Sequence, residues 1–190
     1  MNVEIKNTIM SASAEMPYFI KPSQSLSASA KRAAYEIAVT AIRANLAGED
    51  NAILKMVTIN SILKTHLPYF YWVGFFIMKN GKLTVGPYQG TLGCLHIAVG
   101  RGVCGKAAQT HETQLIDDVH QLVQGADHIA CDPNSASEIV VPVFNNKQEL
   151  IAVFDVDSTE TGSFDAIDQT YLEDLLQEHF SKGTLSNFSF

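Results

Sequence analysis

Apolar residues recur every three to four positions in two segments near the N-terminus, a spacing typical of one face of an amphipathic helix. The first segment covers residues 29–47 and stops before Gly48, a residue that favours helix termination. The second covers residues 50–66 and is followed closely by Pro68. The pattern therefore predicts two helices at the start of the fold. The repeating apolar positions are Ala34, Ala38, Ile42 and Leu46 in the first, and Ile59, Ile62 and Leu63 in the second.

The pattern becomes strand-like after these helices. Residues 71–78 consist of β-forming side chains, and Asn80 with Gly81 forms a strong hairpin signal directly after them. The predicted strands are 71–78, 83–85, 96–99, 114–117, 138–144 and 149–156, with a short helix opening at Val103 and a closing helix over 165–180. Two helices, an antiparallel sheet and a last helix make an α+β order, which differs from the regular alternation of a doubly wound fold.

One domain accounts for most of the 190 residues. Residues 1–27 are predicted to be a loosely ordered N-terminal extension, because Pro17 and Pro22 interrupt any regular pattern. Residues 28–182 form the predicted domain and 183–190 a C-terminal tail. The hydrophobic content of 46% is sufficient for a core, so we do not expect disorder over the whole length.

Charge and hydropathy exclude two classes of partner. The formal net charge is -7, and lysines and arginines are scattered, so no basic stripe is available to neutralise nucleic-acid phosphates. The longest apolar run, residues 69–78, is far shorter than the roughly 20 residues that span a bilayer. The first residues lack the pattern of a signal peptide. We therefore predict a cytoplasmic protein that binds neither nucleic acid nor membrane.

The three cysteines are too few, and odd in number, for a fully paired structural framework. Cys131 is followed by the turn sequence DPNS, and the valine-rich run of residues 139–143 comes only later. A cysteine that merely filled the core would be expected inside that run. The position of Cys131 therefore indicates a thiol exposed for chemistry.

Two other motifs invite different hypotheses. Gly100, Gly102 and Gly105 form a G-x-G-x-x-G pattern, but the following helix is too short for a dinucleotide site and an acidic residue arrives too early, at Asp117. We interpret the pattern as a glycine turn that allows close backbone packing, with Cys104 near a helix start. The cysteines also occur with histidines in spacings that are poor for zinc. That candidate zinc set is Cys94, His96, Cys104, His128 and Cys131.

Redox chemistry explains more of these residues. A cysteine that attacks an oxidised sulfur becomes a sulfenic acid, and a second cysteine then condenses with it to a disulfide. The departing oxygen needs a proton, so acids are required nearby. Asp155 and Asp157 are two residues apart on a predicted strand and share one face, and Glu138 opens the neighbouring strand. Carboxylates so close together resist ionising at the same time, which raises a pKa into a useful range.

The segments that carry these residues also form a recognisable combination. They are HIACD, SEIVVPVF, IAVFDVDS, YWVGFF and GTLGCLHIAVGRGVCGKAA. Together they closely resemble the free methionine-(R)-sulfoxide reductases, single GAF domains that reduce the free amino acid and not methionine in proteins. The resemblance covers about residues 30–180. It implies a GAF-like antiparallel sheet flanked by helices, with the GAF domain at 28–182.

The resemblance implies a role for each cysteine. Cys131 is expected to attack the sulfoxide and Cys94 to be the main resolving thiol, while Cys104 matches a third cysteine that serves as a second resolving or relay thiol. The implied catalytic and substrate-binding acids are Glu138, Asp155 and Asp157; which of them holds the substrate ammonium and which protonates the oxygen stays open.

The implied substrate pocket needs an apolar wall for the methyl group and donors for the substrate carboxylate. Trp72 matches the aromatic residue of that wall, and Tyr88 is a second candidate. Backbone N–H groups of residues 125–129 and of the 131–135 turn are candidates for the carboxylate.

The implied reaction is reduction of free L-methionine (R)-S-oxide through a sulfenic acid and an intramolecular disulfide. No bound cofactor and no metal are expected, because reducing equivalents come from a thioredoxin-type protein and indirectly from NADPH. By analogy with other GAF domains a homodimer is expected. Two alternatives are a non-catalytic GAF sensor of small molecules or oxidants, which would bind a ligand without turnover, and a metal-binding module.

Overall fold

The structure, a computed structural model, describes residues 23–122 and 131–182. Its first two helices are α1 (Ala28–Asn45) and α2 (Ala52–His66). Each begins at a polar cap, because the Ser27 side chain accepts a hydrogen bond from the N–H of Ala30 and the Asn51 side chain accepts two from the first turn of α2. Both predicted helices are confirmed to within two residues at each end.

Six antiparallel strands form one sheet, in the order β3-β2-β1-β6-β5-β4. The strands are β1 (Trp72–Lys79), β2 (Lys82–Gln89), β3 (His96–Ala98), β4 (Gln114–Ile116), β5 (Ser137–Phe144) and β6 (Leu150–Ser158). The predicted α+β class with an antiparallel sheet between helices is confirmed. The sheet places β1 and β6, which are distant in sequence, side by side at its centre.

Helices cover both faces of the sheet. Side chains alternate between the faces, so Phe75 and Phe154 pack in the larger core with α1, α2 and α4 (Ala166–Leu176), while Phe76 and Val153 point the other way. The second face is covered by α3 (Gly102–Thr110). No helix within the described ranges is both long and apolar enough to cross a bilayer.

The structure differs from the sequence prediction in two elements. Strand β2 continues to Gln89, whereas only residues 83–85 were expected, because Gly86 and Pro87 resemble a break. β3 pairs only with Lys82 to Thr84, so Pro87 lies where its missing N–H interrupts no ladder. The closing helix was predicted to reach residue 180, but its α-helical part ends at Leu176 and a π-helical turn follows over Gln177–Ser181.

The predicted N-terminal extension and C-terminal tail fall mostly outside the described residues, which begin at Ser23 and end at Lys182. Ser23 itself is buried, and its hydroxyl donates a hydrogen bond to the carbonyl of Tyr69 at 3.1 Å. Its N–H donates to the Thr159 hydroxyl at 2.9 Å. This part of the predicted extension is therefore attached to the ends of the central strands.

Candidate active site

The three predicted acids lie on the face of the sheet that α3 covers. Across the central strands, Trp72 of β1 is opposite Asp157 of β6, and Asp157 is in turn opposite Glu138 of β5. Asp155 lies two residues before Asp157 on β6 and therefore points to the same side. Strand register thus places Trp72, Asp157 and Glu138 in one row across the sheet, with Asp155 beside that row on the same face.

These residues line a cavity between the sheet, α3 and two loops. Cys104 of α3 and Cys131 contribute sulfur atoms to its wall, and Trp72, Phe76 and Ile97 contribute apolar surface. The cavity therefore combines an apolar side with an acidic side, as a small zwitterion with a methyl-sulfur end requires.

Burial dominates the ionisation of the acids. Glu138 and Asp155 are each only 6% exposed, and desolvation of the charged form raises the pKa of Asp155 to about 7. Burial also raises the pKa of Glu138 and of Asp157 well above the ordinary range, and the negative charge of Asp155 adds to both shifts. At neutral pH the site therefore retains protons that exposed carboxylates would have lost.

The two cysteines assigned to attack and resolution are joined. Cys94 and Cys131 form a disulfide with an S–S distance of 2.00 Å and a Cα–Cα distance of 5.2 Å. Cys131 lines the cavity beside the acids. Cys94 is bonded to Cys131 but does not itself line the cavity. The two sulfurs are thus placed differently with respect to the cavity.

Cys104 is a free and buried thiol. Its Sγ lies 3.9 Å from Oε1 of Glu138, to which the thiol donates a weak hydrogen bond. Burial raises the pKa of the Cys104 thiol well above its ordinary value, and the charges of Asp155 and Glu138 raise it further. This environment disfavours the thiolate, which is the nucleophilic form.

The glycine pattern before α3 serves close packing, as the sequence interpretation proposed. A Cβ atom at Gly105 would lie 2.4 Å from the carbonyl oxygen of Ala98, so only glycine allows α3 to approach the end of β3 this closely. Gly102 has a φ of 62°, a conformation that favours glycine. The turn therefore brings Cys104 down onto the sheet.

The candidate zinc set, whose spacings are poor for zinc, is not brought together in the described part of the chain. Cys94 and Cys131 are consumed in the disulfide, His96 Nδ1 is 3.2 Å from the Thr84 hydroxyl, and His128 lies outside the described residues. A different group does cluster there: the ligand atoms of Cys104, Glu138 and Asp155 lie within 4.8 Å of one another. Asp155 Oδ1 is buried and accepts no hydrogen bond from any described residue, so this corner can receive a cation.

Comparison with known proteins identifies the family of the chain. Residues 61–178 match the GAF domain family. The chain is 39% identical to the free methionine-R-sulfoxide reductase of Escherichia coli over 133 residues, which cover 70% of this chain and 78% of that protein. The chain belongs to the free methionine-R-sulfoxide reductase family.

Solved structures of other free methionine-R-sulfoxide reductases have the same fold. The reduced form of the Staphylococcus aureus protein is 36% identical, with a TM-score of 0.72 over 78% of this chain and 93% of that chain. The Neisseria meningitidis reductase, solved in complex with its substrate, is 35% identical, with a TM-score of 0.72 over 83% of this chain and 92% of that chain.

Within this reductase fold, the two predicted aromatic residues occupy different positions. Trp72 lines the cavity, and its Nε1 donates to the carbonyl of Thr91 at 3.0 Å. Tyr88 stacks on the Trp72 ring with 5.3 Å between ring centroids, but it is not among the described residues that line the cavity. Its position fits support of Trp72 rather than contact with substrate.

Other residues of the reductase site were not singled out from the sequence. The candidate carboxylate-binding backbone of residues 125–129 lies outside the described residues, while the 131–135 turn does reach the cavity. Asp132 was missed, although a DPN turn directly after a reactive cysteine is a visible signal for it. The other cavity residues that were not predicted as site residues are Phe76, Gly93, Ile97, Arg101, Gly102, Val103 and Ser135.

Proposed function

We propose that this protein is an oxidoreductase that reduces free L-methionine (R)-S-oxide to L-methionine. One observation carries the proposal: the sulfur of Cys131 lines a cavity with three acids, two of them buried (Glu138 and Asp155), while it is bonded to a second cysteine, Cys94. Family membership supports the substrate class, since the relatives named above are reductases of free methionine sulfoxide.

The reaction proceeds in two balanced steps. The sulfur of Cys131 takes the oxygen of the sulfoxide, so that methionine leaves and Cys131 becomes a sulfenic acid. The thiol of Cys94 then attacks that sulfur, a disulfide forms and the hydroxyl group leaves as water. The oxidised state therefore contains the Cys94–Cys131 bond.

The buried oxygen of Asp155 that accepts no hydrogen bond from a described residue supports a division of roles. Asp155, with a pKa of about 7 and an oxygen free of described partners, is the carboxylate for the substrate ammonium. Glu138 and Asp157 have pKa values raised well above the ordinary range, so they keep the protons that hydrogen-bond the sulfoxide oxygen. Trp72 and Phe76 supply the apolar wall for the methyl group.

Cys104 is assigned to the cavity wall and not to resolution. Its thiol is buried beside Glu138 with a raised pKa, and Cys94 is the cysteine bonded to Cys131. The thiol adds a weak donor to the acid cluster, which is a role that serine could take over in part.

A thioredoxin-type protein is the proposed reductant, with NADPH as the indirect electron source and no cofactor bound to this chain. Two exposed leucines, Leu92 and Leu95, flank Cys94 and offer an apolar contact surface beside the disulfide. Two further predictions concern the location, which is cytoplasmic, and the oligomeric state, which is a homodimer. Sedimentation analysis tests the homodimer.

The decisive experiment is a thioredoxin-coupled NADPH oxidation assay run separately on the R and S epimers. We expect turnover of the R epimer alone, no activity for Cys131→Ser, and one methionine per chain without further turnover for Cys94→Ser. Cys104→Ser is the matched control, because it removes a thiol of the same cavity and should keep multiple turnovers. Full activity of Cys131→Ser would refute the assignment, and ligand binding without turnover in the wild-type protein would favour the sensor.

A further inference from the structure

Asp132 is only 9% exposed, and hydrogen-bond donors surround its carboxylate. The Tyr71 hydroxyl donates to Oδ2 at 2.9 Å, and the Thr91 hydroxyl donates to the same oxygen. On the other side, the backbone N–H and the side-chain amide of Asn134 donate to Oδ1 at 2.8 and 2.9 Å. Four donors thus converge on one carboxylate.

These donors come from separate segments of the chain. Thr91 stands three residues before Cys94, and Asp132 directly follows Cys131. Tyr71 immediately precedes β1, so it connects both loops to the centre of the sheet. The Asp132 carboxylate therefore joins the two loops that carry the redox cysteines, through hydrogen bonds in which neither sulfur takes part.

The loop of Cys94 is also held from its backbone side. The carbonyl of Thr91 accepts the hydrogen bond from Trp72 Nε1, so Thr91 is fixed both by its hydroxyl and by its carbonyl. Burial alone would raise the pKa of Asp132, but hydrogen bonds from Thr91, Asn134 and Tyr71 outweigh it, and the pKa is lowered. The carboxylate is thus ionised at neutral pH, when charged hydrogen bonds are strongest.

We propose that Asp132 is a positioning residue for disulfide formation: by tying the Thr91 side of the Cys94 loop to the Cys131 loop, it keeps the two sulfurs adjacent in the reduced and sulfenic states. The inference rests on the proposed function. The hydrogen bonds of Asp132 do not involve either reacting sulfur. Asp132 acts through the two loops that carry these sulfurs.

The chemical step affected is the second one. The Cys94 thiol must reach the sulfur of the Cys131 sulfenic acid in line with the S–O bond, which breaks as water leaves. A small misplacement of reacting groups can slow such a step by up to about 100-fold. The first step uses Cys131 and the residues that line the cavity, which include Asp132 but not Thr91 or Cys94, so the first step depends less on where the Cys94 loop lies.

The test separates these steps in a single turnover. The reduced full-length protein is mixed with the R epimer in the absence of any reductant and quenched over time. Released methionine reports attack by Cys131, the loss of alkylatable thiols reports the disulfide, and a 1,3-dione reagent reports the sulfenic acid by its mass. The variants are Asp132→Asn and Thr91→Val, which removes only the donor on the Cys94 loop. Asp118→Asn is the matched control, since Asp118 caps its own turn through His120 and Gln121.

We expect Thr91→Val, whose side chain does not line the cavity, to release methionine within about twofold of the wild-type rate. Both Thr91→Val and Asp132→Asn should close the disulfide about tenfold more slowly than the wild-type protein, with sulfenic acid trapped at Cys131. Disulfide closure at the wild-type rate in both variants would overturn the proposal. Slow closure in Asp132→Asn alone would overturn the link between the loops. A merely structural role would lower both rates and the melting temperature together. If the wild-type protein releases no methionine, the proposed function itself has failed.

Discussion

Asp155 shares a buried corner of the cavity with Glu138 and the thiol of Cys104. Burial raises its pKa from an ordinary 3.8 to about 7, so the folded protein holds this proton over a range where the unfolded chain has released it. Asp155 can therefore exchange a proton near neutral pH. Its ionised form destabilises the folded protein unless a cation lies beside it. In the proposed function, the substrate ammonium provides that cation.

This balance predicts how stability depends on pH. Because the folded-state pKa of Asp155 is raised, its stabilising contribution is complete below about pH 4 and is lost as the pH rises through about 7. In Asp155→Asn, the fall in the free energy of unfolding between pH 5 and pH 8 should be smaller than in the wild-type protein by at least about 1 kcal/mol. Urea unfolding of the reduced proteins at both pH values measures the difference. An equal fall in both proteins would contradict the raised pKa.

At the scale of elements, strand register assembles the site. The two-residue spacing of Asp155 and Asp157 was sufficient to predict that they share a face of one strand. The sequence could not tell that β6 lies between β1 and β5, because strand order depends on long-range pairing. That order is what sets Trp72 and Glu138 on either side of Asp157.

Other parts of the site were beyond local patterns for similar reasons. The pairing of Cys94 with Cys131 was expected from family resemblance and not from spacing, since the two are 37 residues apart. Asp132 was overlooked because its partners, Tyr71 and Thr91, are 61 and 41 residues away. Helix periods, the hairpin signal and the glycine turn are local, and these were predictable.

The glycine turn gives a prediction at this scale. Gly105→Ala would set a methyl group 2.4 Å from the carbonyl of Ala98 and push α3 away from β3. We expect a loss of about 1–3 kcal/mol in the free energy of unfolding. Gly93→Ala is the control: its nearest contact, an atom of the Trp72 ring, would be 3.6 Å away, so a change within about 0.5 kcal/mol is expected. Chemical denaturation compares the two, and equal losses would refute the packing role of Gly105.

In the whole molecule, the two faces of the sheet differ: one face packs against the larger core, and the other carries the cysteines of the candidate active site. The larger core lies between one face and α1, α2 and α4, and it contains the large buried aromatic residues Tyr35, Phe75 and Phe154. The smaller cluster under α3 contains Cys104 and is contacted by Cys94 and Cys131. The redox cysteines therefore contact the smaller cluster, while the larger core lies on the opposite face of the sheet.

The disulfide still couples chemistry to folding, because it restricts the unfolded chain. For residues 37 apart in sequence, loop-closure entropy predicts that the bond adds about 4 kcal/mol to the free energy of unfolding. Guanidinium unfolding of the oxidised protein against the fully reduced protein measures this difference, and Cys94→Ser, which cannot form the bond, should show none. By thermodynamic linkage, folding stabilises the disulfide by the same free energy. The reductant must overcome this free energy when it reduces the disulfide at the end of every turnover. A much smaller difference would mean that the bond also restricts the native state, so that the two loops separate in the reduced protein, and this would contradict the role proposed for Asp132.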